Sequence, residues 1–417
     1  GEVVVVGGVR RSALISLSNL NDDQMSHAKS GQWWENEGQR ALANNSVAYK
    51  EKPQMGTFMR EWLSLYESKS GERGIFNRES AKVQAASNGR RDADHEFGCN
   101  PCSEIILRPY QFCNLSEVVV RATDNLETLE NKVRLATILG TLQATLTDFK
   151  YIRKIWKDNT EEERLLGVSL TGILDNQLMS GKSALFGMNI KTTLQTLKDK
   201  AIETNKHMSK SLGIPQAAAI TCVKPSGTVS QLVDSASGIH ARHNPYYIRT
   251  VRGDNKDPLT QFMIAQGIPA EPDVMKPDST TVFSFPMQSP AGAVCRTDMT
   301  AIEQLELWLM YQRHWCEHKP SVTISVKEEE WMDVGSWVYK HFDEVSGISF
   351  LPFSEHTYQQ APYQDITSIE YDEAKIKMPE KIDWSLLSDF EKEDTTSGGR
   401  ELACTAGVCE VVDLDAA

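Results

Sequence analysis

Along the chain, short apolar runs of strand length alternate with longer segments whose apolar residues recur every three to four positions. The helical period predicts helices over residues 25–44, 56–68, 161–176, 301–315 and 327–341, and it is strongest over residues 126–150. Residues 190–212 read as a long amphipathic helix, stopped by Gly213 with Pro215 just beyond. Strand-like runs fall at residues 3–6, 74–77, 217–223, 246–251, 280–285 and 321–326. Alternation of this kind predicts an α/β sheet or barrel, and no internal repeat interrupts it.

Both ends of the chain depart from this pattern. The opening GEVVVVGG enters a strand-like run at once, without methionine, which points to a chain that began further upstream. After about Trp384 the period lapses. The stretch SDFEKEDTTSGGRE is polar and aperiodic apart from Phe390, and reads as a flexible linker. The expected organisation is a catalytic body over residues 1–384 and a tail over residues 385–417.

Composition adds limits more than direction. Hydrophobic residues make up 40% and charged residues 24% of 417 positions, an ordinary globular balance. A net charge of −13 argues against a general binder of nucleic acid or membrane surfaces, so an anionic substrate needs a dedicated local site. No run approaches the ~20 apolar residues of a membrane span, and no signal-peptide pattern is present. Eight cysteines in a chain this long do not make a disulfide scaffold, so a reducing, cytoplasmic setting is expected.

The cysteines are unevenly placed. Cys99, Cys102 and Cys113 lie within FGCNPCSEIILRPYQFCNLSE, and Cys404 and Cys409 form a Cys-x4-Cys near the end. Cys99-Asn100-Pro101-Cys102 can be a redox pair or half of a zinc site. A redox pair of the thioredoxin type opens a helix, whereas the residues after Cys102 look extended. Zinc needs a second ligand pair, and Cys404 and Cys409 are loosely spaced on the tail. A third reading takes Asn100, Cys102 and Glu104 together. On an extended chain alternate side chains point the same way, so an amide, a thiol and a carboxylate line one face. That trio suits sugar chemistry: the amide holds a hydroxyl, the carboxylate takes its proton, and the sulfur does one-electron work. A buried structural cysteine beside a surface glutamate is the plain alternative.

A second stretch, TCVKPSGTVSQLVD, places Ser226, Gly227 and Thr228 where a strand gives way to a helix. Backbone N–H groups and hydroxyls at such a junction suit an anion, and a simple N-cap turn explains them as well. The spacing is not that of a Walker A loop. His240-x-x-His243 has no carboxylate partner nearby in sequence and reads as polar loop, and Tyr246-Tyr247 as strand packing.

These segments in this order resemble the ribonucleotide reductases. The resemblance is carried by Asn100-Pro101-Cys102-Ser103-Glu104-Ile105, by Cys113-Asn114-Leu115, and by GGVRRSA near the start. GERGIFNR, LGVSLTG, KPSGT and the terminal Cys-x4-Cys complete it. Within that family the adenosylcobalamin-dependent class II enzymes are most similar, above all the monomeric ribonucleoside-triphosphate reductases, with this chain as the C-terminal part. The resemblance implies the later strands of a ten-stranded α/β barrel, a central finger loop and a flexible tail.

It also implies roles. Cys102 becomes the thiyl radical, Glu104 the general base, and Asn100 holds the sugar hydroxyls. Cys113 is one of two reducing thiols, its partner lying on an earlier strand. Cys404 and Cys409 reduce the resulting disulfide and are reduced in turn by thioredoxin or a similar dithiol. Pro225, Ser226, Gly227 and Thr228 bind the substrate phosphates. A deoxynucleotide effector binds largely upstream, and no resident metal site is expected beyond the cobalt of the cofactor. Cys99, Cys222, Cys295 and Cys316 are read as bystanders. Two alternatives stand beside this: a reductase driven by a separate radical subunit and using diphosphates, and a non-catalytic thiol or zinc module. The absence of an adjacent tyrosine pair near the end of the chain favours cobalamin over a radical subunit.

Overall fold

The computed structural model describes residues 14–182, 189–227, 229–353 and 359–391. Thr228, Cys404, Cys409 and the run at residues 3–6 lie outside the described residues. The chain divides into two compact units, one of Ser12–Arg242 with Ala291–Phe353, the other of Gly1–Arg11, His243–Pro290 and Ser354–Ala417.

In chain order the strands are β1 (Leu14–Ser18), β2 (Ala43–Tyr49), β3 (Gly74–Asn77), β4 (Gly98–Cys99), β5 (Ile106–Leu107), β6 (Asn114–Val119) and β7 (Leu166–Thr171). They continue with β8 (Tyr246–Asp254), β9 (Ala270–Pro272), β10 (Thr280–Gln288), β11 (Val322–Val326), β12 (Ile348–Pro352) and β13 (Tyr363–Asp365).

The larger unit is one hydrogen-bonded run of strands. β6 pairs in parallel with β7. β7 bonds to the extended segment 217–223, where Val168 N–H donates to Ile220 O at 2.8 Å and Cys222 N–H to Val168 O at 3.1 Å. That segment bonds to the chain entering β11, with Ser321 N–H donating to Val223 O at 2.9 Å. β11 pairs in parallel with β12, β12 is antiparallel to β3, and β3, β2 and β1 are mutually parallel. Helices Leu126–Gln143 and Ile190–Leu212 pack on each other outside β6 and β7.

The short hairpin β4–β5 shows how this run is shaped. Its turn carbonyl at Pro101 accepts from Asn44 Nδ2 at 2.7 Å, beside β2. Its Ile105 packs toward Gly167 of β7, and Ile106 N–H bonds to His318 just before β11. β2 and β7 lie near opposite ends of the run, and neighbouring strands are about 4.8 Å apart. A single hairpin reaches both ends only because the wall of strands curls around it.

Local physics explains most of the elements. Asn125 with Thr128 and Thr300 with Glu303 form capping boxes that start the helices Leu126–Gln143 and Ala301–His314. Ile190–Leu212 begins on an Asn189 cap and ends on left-handed Gly213, as its sequence predicts.

Two predicted helices fail. Over residues 25–44 only short helical turns form, and β2 begins at Ala43. Its polar start, Asn45 and Ser46, is buried because Asn45 Nδ2 donates to Glu72 Oε2 at 2.7 Å, a long-range partner invisible to local patterning. Over residues 161–176 the helix Lys154–Glu163 ends at left-handed Arg164, and the next residues form β7. β7 is buried on both faces, so its continuous apolar run does not alternate and cannot be told from a helix by period.

The smaller unit is an antiparallel sheet in the order β13-β8-β10-β9. Tyr246 and Tyr247 lie in β8, the first against Tyr371 and the second against Tyr363 and His243. Helical structure continues past Trp384, and Phe390 packs on buried Phe262. No described helix is long and apolar enough to cross a membrane.

Gly167 is the contact that lets the wall close on the hairpin. A Cβ there would lie 2.4 Å from Leu115 Cδ2 and 2.9 Å from Ile105 Cδ1. We expect Gly167→Ala to cost about 1–3 kcal/mol in denaturant unfolding, the usual range for overpacking. An unchanged midpoint would remove the close approach from the account.

Candidate active site

The hairpin tip is a turn. Ser103 N–H donates to Asn100 O at 2.8 Å, and Ser103 takes a left-handed φ of 64°. The Asn100 side chain closes the same turn, its Oδ1 accepting from Ile105 N–H at 2.9 Å. The extended, alternating geometry expected for Asn100, Cys102 and Glu104 is therefore absent. A turn places them instead, with Cys102 half-buried at the tip and Glu104 fully buried behind it. Cys99 Sγ lies 3.4 Å from Ser103 Oγ.

The hairpin is anchored by residues 317–320, a charged stretch between buried Trp315 and β11. Glu317 is fully buried, binds Arg90 Nη2 through both oxygens at 2.6 and 2.7 Å, and accepts from Ile220 N–H at 2.9 Å. His318 Nδ1 accepts from Ile106 N–H at 3.3 Å, and its Nε2 donates to Leu166 O at 2.9 Å. Both partners fix one neutral tautomer. Burial, reinforced by nearby Arg91, pushes His318 down to about 3, so it stays neutral. Lys319 N–H donates to Glu104 O at 3.0 Å. At the base of the hairpin, Arg91 binds Glu163 through Nε at 3.1 Å and Nη2 at 2.9 Å.

Charge converges behind the tip. Glu104 Oε1 accepts from Lys224 Nζ at 3.2 Å, while Oε2 has no hydrogen-bond partner. Burial opposes the Lys224 charge, but Glu104, Cys102 and Cys222 outweigh it and hold Lys224 above its ordinary value. Lys224 thus has both Cys102 and Glu104 as electrostatic neighbours. Burial, with Glu104 adding to it, pushes the Cys113 thiol up to about 12. Cys113 is accordingly a neutral thiol at physiological pH.

The KPSG segment is more self-contained than its sequence implies. The helix after it spans only Val229–Leu232. Ser226 is buried, its N–H donates to Ser237 Oγ at 3.1 Å, and its hydroxyl donates to Glu117 Oε1 at 2.8 Å. Ser226 Oγ also accepts from Ser230 N–H at 3.1 Å. Lys224 N–H donates to Ser169 Oγ at 2.8 Å. The Ser226 hydroxyl is therefore already engaged by a carboxylate. Burial raises Glu117 above the ordinary carboxylate range, against the pull of Ser226 and Lys224.

Sequence reasoning gave Lys224 no role and passed over Glu117, Glu317, His318 and Lys319. The one local signal was three ionisable residues, Glu317-His318-Lys319, between an apolar helix end and an apolar strand. His240 is half-buried, burial holds it below its ordinary value, and it accepts from Thr323 N–H at 3.1 Å; His243 pairs with Asp365 at 2.7 Å. Among the described residues no three His, Cys, Asp or Glu converge as metal ligands.

No family model matches the chain. By structure it is similar to a B12-dependent class II ribonucleotide reductase, with a TM-score of 0.73 at 22% identity over 91% of this chain and 55% of that one. It is also similar to the class Id ribonucleotide reductase alpha subunit of Actinobacillus ureae, with a TM-score of 0.52 at 12% identity over 82% of this chain and 70% of that one. The fold is that of the ribonucleotide reductases.

By sequence the chain resembles the adenosylcobalamin-dependent ribonucleoside-triphosphate reductases along nearly its whole length. The relative from Euglena gracilis is 29% identical over 98% of this chain and 55% of its own. That from Lacticaseibacillus paracasei is 28% identical over 88% of this chain and 52% of its own, and that from Lactobacillus leichmannii 26% over 99% and 58%. The chain spans about half the length of the curated relatives it matches.

The Cys113 environment makes a direct prediction. The folded chain keeps the Cys113 proton that the unfolded chain releases above about 9, so this residue's contribution to stability falls as pH rises from there toward about 12. At pH 8, iodoacetamide labelling of Cys113 read by mass spectrometry should be at least about tenfold slower than in the urea-unfolded chain. It should quicken in Glu104→Gln. Equal rates in the folded and unfolded states would contradict the buried, carboxylate-facing thiol.

Proposed function

We propose that this chain carries the thiol chemistry of a ribonucleoside-triphosphate reductase, converting ribonucleoside triphosphates to 2′-deoxyribonucleoside triphosphates for DNA synthesis in the cytoplasm. The observation that carries the reading is the hairpin tip. It presents half-buried Cys102 and fully buried Glu104 to the same Lys224, with the neutral thiol of Cys113 beside the carboxylate.

Each residue has a task in that reaction. Cys102, as a thiyl radical, removes the 3′-hydrogen of the ribose. Glu104 takes the 3′-hydroxyl proton on Oε2, the oxygen with no partner. The 2′-oxygen leaves as water, and two thiols supply the two electrons and become a disulfide. Cys113 is one of them, and its neutral state suits it to deliver hydrogen.

The other thiol is not Cys222. That residue lies on the segment beyond β7 from β6, so two strand spacings, about 9–10 Å, separate it from Cys113, and a disulfide spans no more than about 7 Å between Cα atoms. By the resemblance to the reductases, the partner would lie on an earlier strand. Cys404 and Cys409 would reduce the disulfide by exchange and return to the thiol state through thioredoxin or a similar dithiol. Asn100, already closing the turn through Oδ1, keeps its amide N–H groups for a sugar hydroxyl.

Pro225, Ser226, Gly227 and Thr228 would take the substrate phosphates, with the Ser226 hydroxyl exchanging Glu117 for a phosphate oxygen. A deoxynucleotide effector acts from outside these residues. Adenosylcobalamin supplies a cobalt–carbon bond whose homolysis provides the initiating radical. Cys102 fits that source because the turn holds it at the tip and leaves it partly open. No described residue is assigned to hold the cofactor.

The test is CTP reduction by the full native reading frame, with adenosylcobalamin and a dithiol. We expect dCTP from the wild type, none from Cys102→Ser, and a fall of about 10²-fold or more in Glu104→Gln. Turnover only with an added radical subunit would move the chain to the diphosphate-using class. Turnover that survives Cys102→Ser would sink the site assignment.

A further inference from the structure

Lys319 is a buried cation that neither the fold nor the proposed roles above account for. It is fully buried, yet its ammonium makes no direct ion pair among the described residues. Nζ donates to Ser346 Oγ at 3.0 Å and lies 4.3 Å from the centre of the Phe76 ring. A Cβ on Gly347 would come within 3.6 Å of Nζ and 3.1 Å of Ser103 O, so a glycine there leaves room for both lysine and hairpin. An unpaired ammonium is costly in an apolar interior, and its retention calls for a compensating charge.

That charge is Glu104. The two residues are bound through the backbone, Lys319 N–H to Glu104 O at 3.0 Å, and Cys99 and then Glu104 act electrostatically on Lys319; burial raises the Cys99 thiol and keeps its proton on, which leaves the carboxylate as the charge. The groups facing Glu104 come from every segment around it. They are Lys224 from the KPSG loop, Lys319 from the approach to β11, Cys99 from the hairpin, Cys113 before β6 and Cys222 from the segment beside β7. Two are cations and three are thiols.

We propose that Lys319 is a positioning residue for Glu104: its buried ammonium, together with that of Lys224, balances the buried carboxylate and leaves Oε2 unclaimed. Lys224 is about one-third exposed and hydrogen-bonds the acid directly, whereas Lys319 supports it from a site that water does not reach. Burial drives Lys319 down to about 8, against the pull of Cys99 and Glu104, so it is close to losing its proton. Raising the pH past that value therefore removes one of the two supporting charges. The catalytic meaning of the pair rests on the proposed reductase reading; the charge coupling does not.

The coupling is reciprocal, so either partner reports it. Isotope-edited infrared spectroscopy of glutamate-labelled chain, with Glu104→Gln subtracted, reads the protonation of Glu104 without turnover. We expect no carboxylic-acid band from Glu104 at pH 7 in the wild type, and such a band in Lys319→Met. In Glu104→Gln, the Lys319 ammonium followed by lysine side-chain NMR should titrate at least one pH unit lower. This arm decides the matter if Lys319→Met does not fold. A protonated Glu104 in the wild type, or an unmoved Lys319 titration in Glu104→Gln, overturns the proposal. A chain that shows the coupling but no reductase activity would keep the charge pair and discard the catalytic reading.

Discussion

A glutamate carboxylate with no exposure to water lies behind the hairpin tip, and the surrounding structure is arranged to tolerate it. A bare buried carboxylate is expensive to charge. Here one oxygen is met by Lys224 and the backbone carbonyl by Lys319, both from segments on the strand wall. The second oxygen is left open. An unsatisfied buried polar atom is a cost that packing alone does not repay, and such atoms concentrate where chemistry is done.

Holding that carboxylate in place requires a rigid hairpin, and the hairpin has very little secondary structure of its own. β4 and β5 pair over two residues each. The stiffness comes from outside: His318 bridges Ile106 and Leu166, Asn44 caps Pro101, and Gly167 admits Ile105. The anchors come from β2, from β7 and from the approach to β11. The curl of that wall and the fixity of the tip are therefore one constraint seen from two sides. Glu317 and Arg90 extend it outward, since the fully buried Glu317 also orders the backbone at Ile220, four residues before the KPSG loop begins.

The KPSG loop is closed in this state. Ser226 is bonded on its amide and its hydroxyl, and Glu117 occupies the side from which an anion would come. Cys113 directly precedes β6 and Glu117 lies on it four residues further on, so one short stretch carries both the buried thiol and the carboxylate that holds Ser226.

The chain's sequence, by itself, determined a good deal. Capping residues and terminators set Ile190–Leu212 and Ala301–His314 within a residue, because caps are local hydrogen bonds between near neighbours. Asn100, Cys102, Glu104 and Cys113 stood out as chemistry-bearing residues close together in the chain. The order of the motifs pointed to the reductase fold that the structural comparison shows. Tertiary structure alone decided the rest. It replaced an extended tip with a turn, since the partners that hold it, Asn44 and Lys319, are remote in sequence. It made strands of residues 43–49 and 166–171, where burial on both faces or a distant glutamate overrode the local period. It also brought Lys224 to the Glu104 carboxylate and Lys319 to the Glu104 backbone carbonyl, from positions more than a hundred residues downstream, and no local pattern records a contact made across that length of chain.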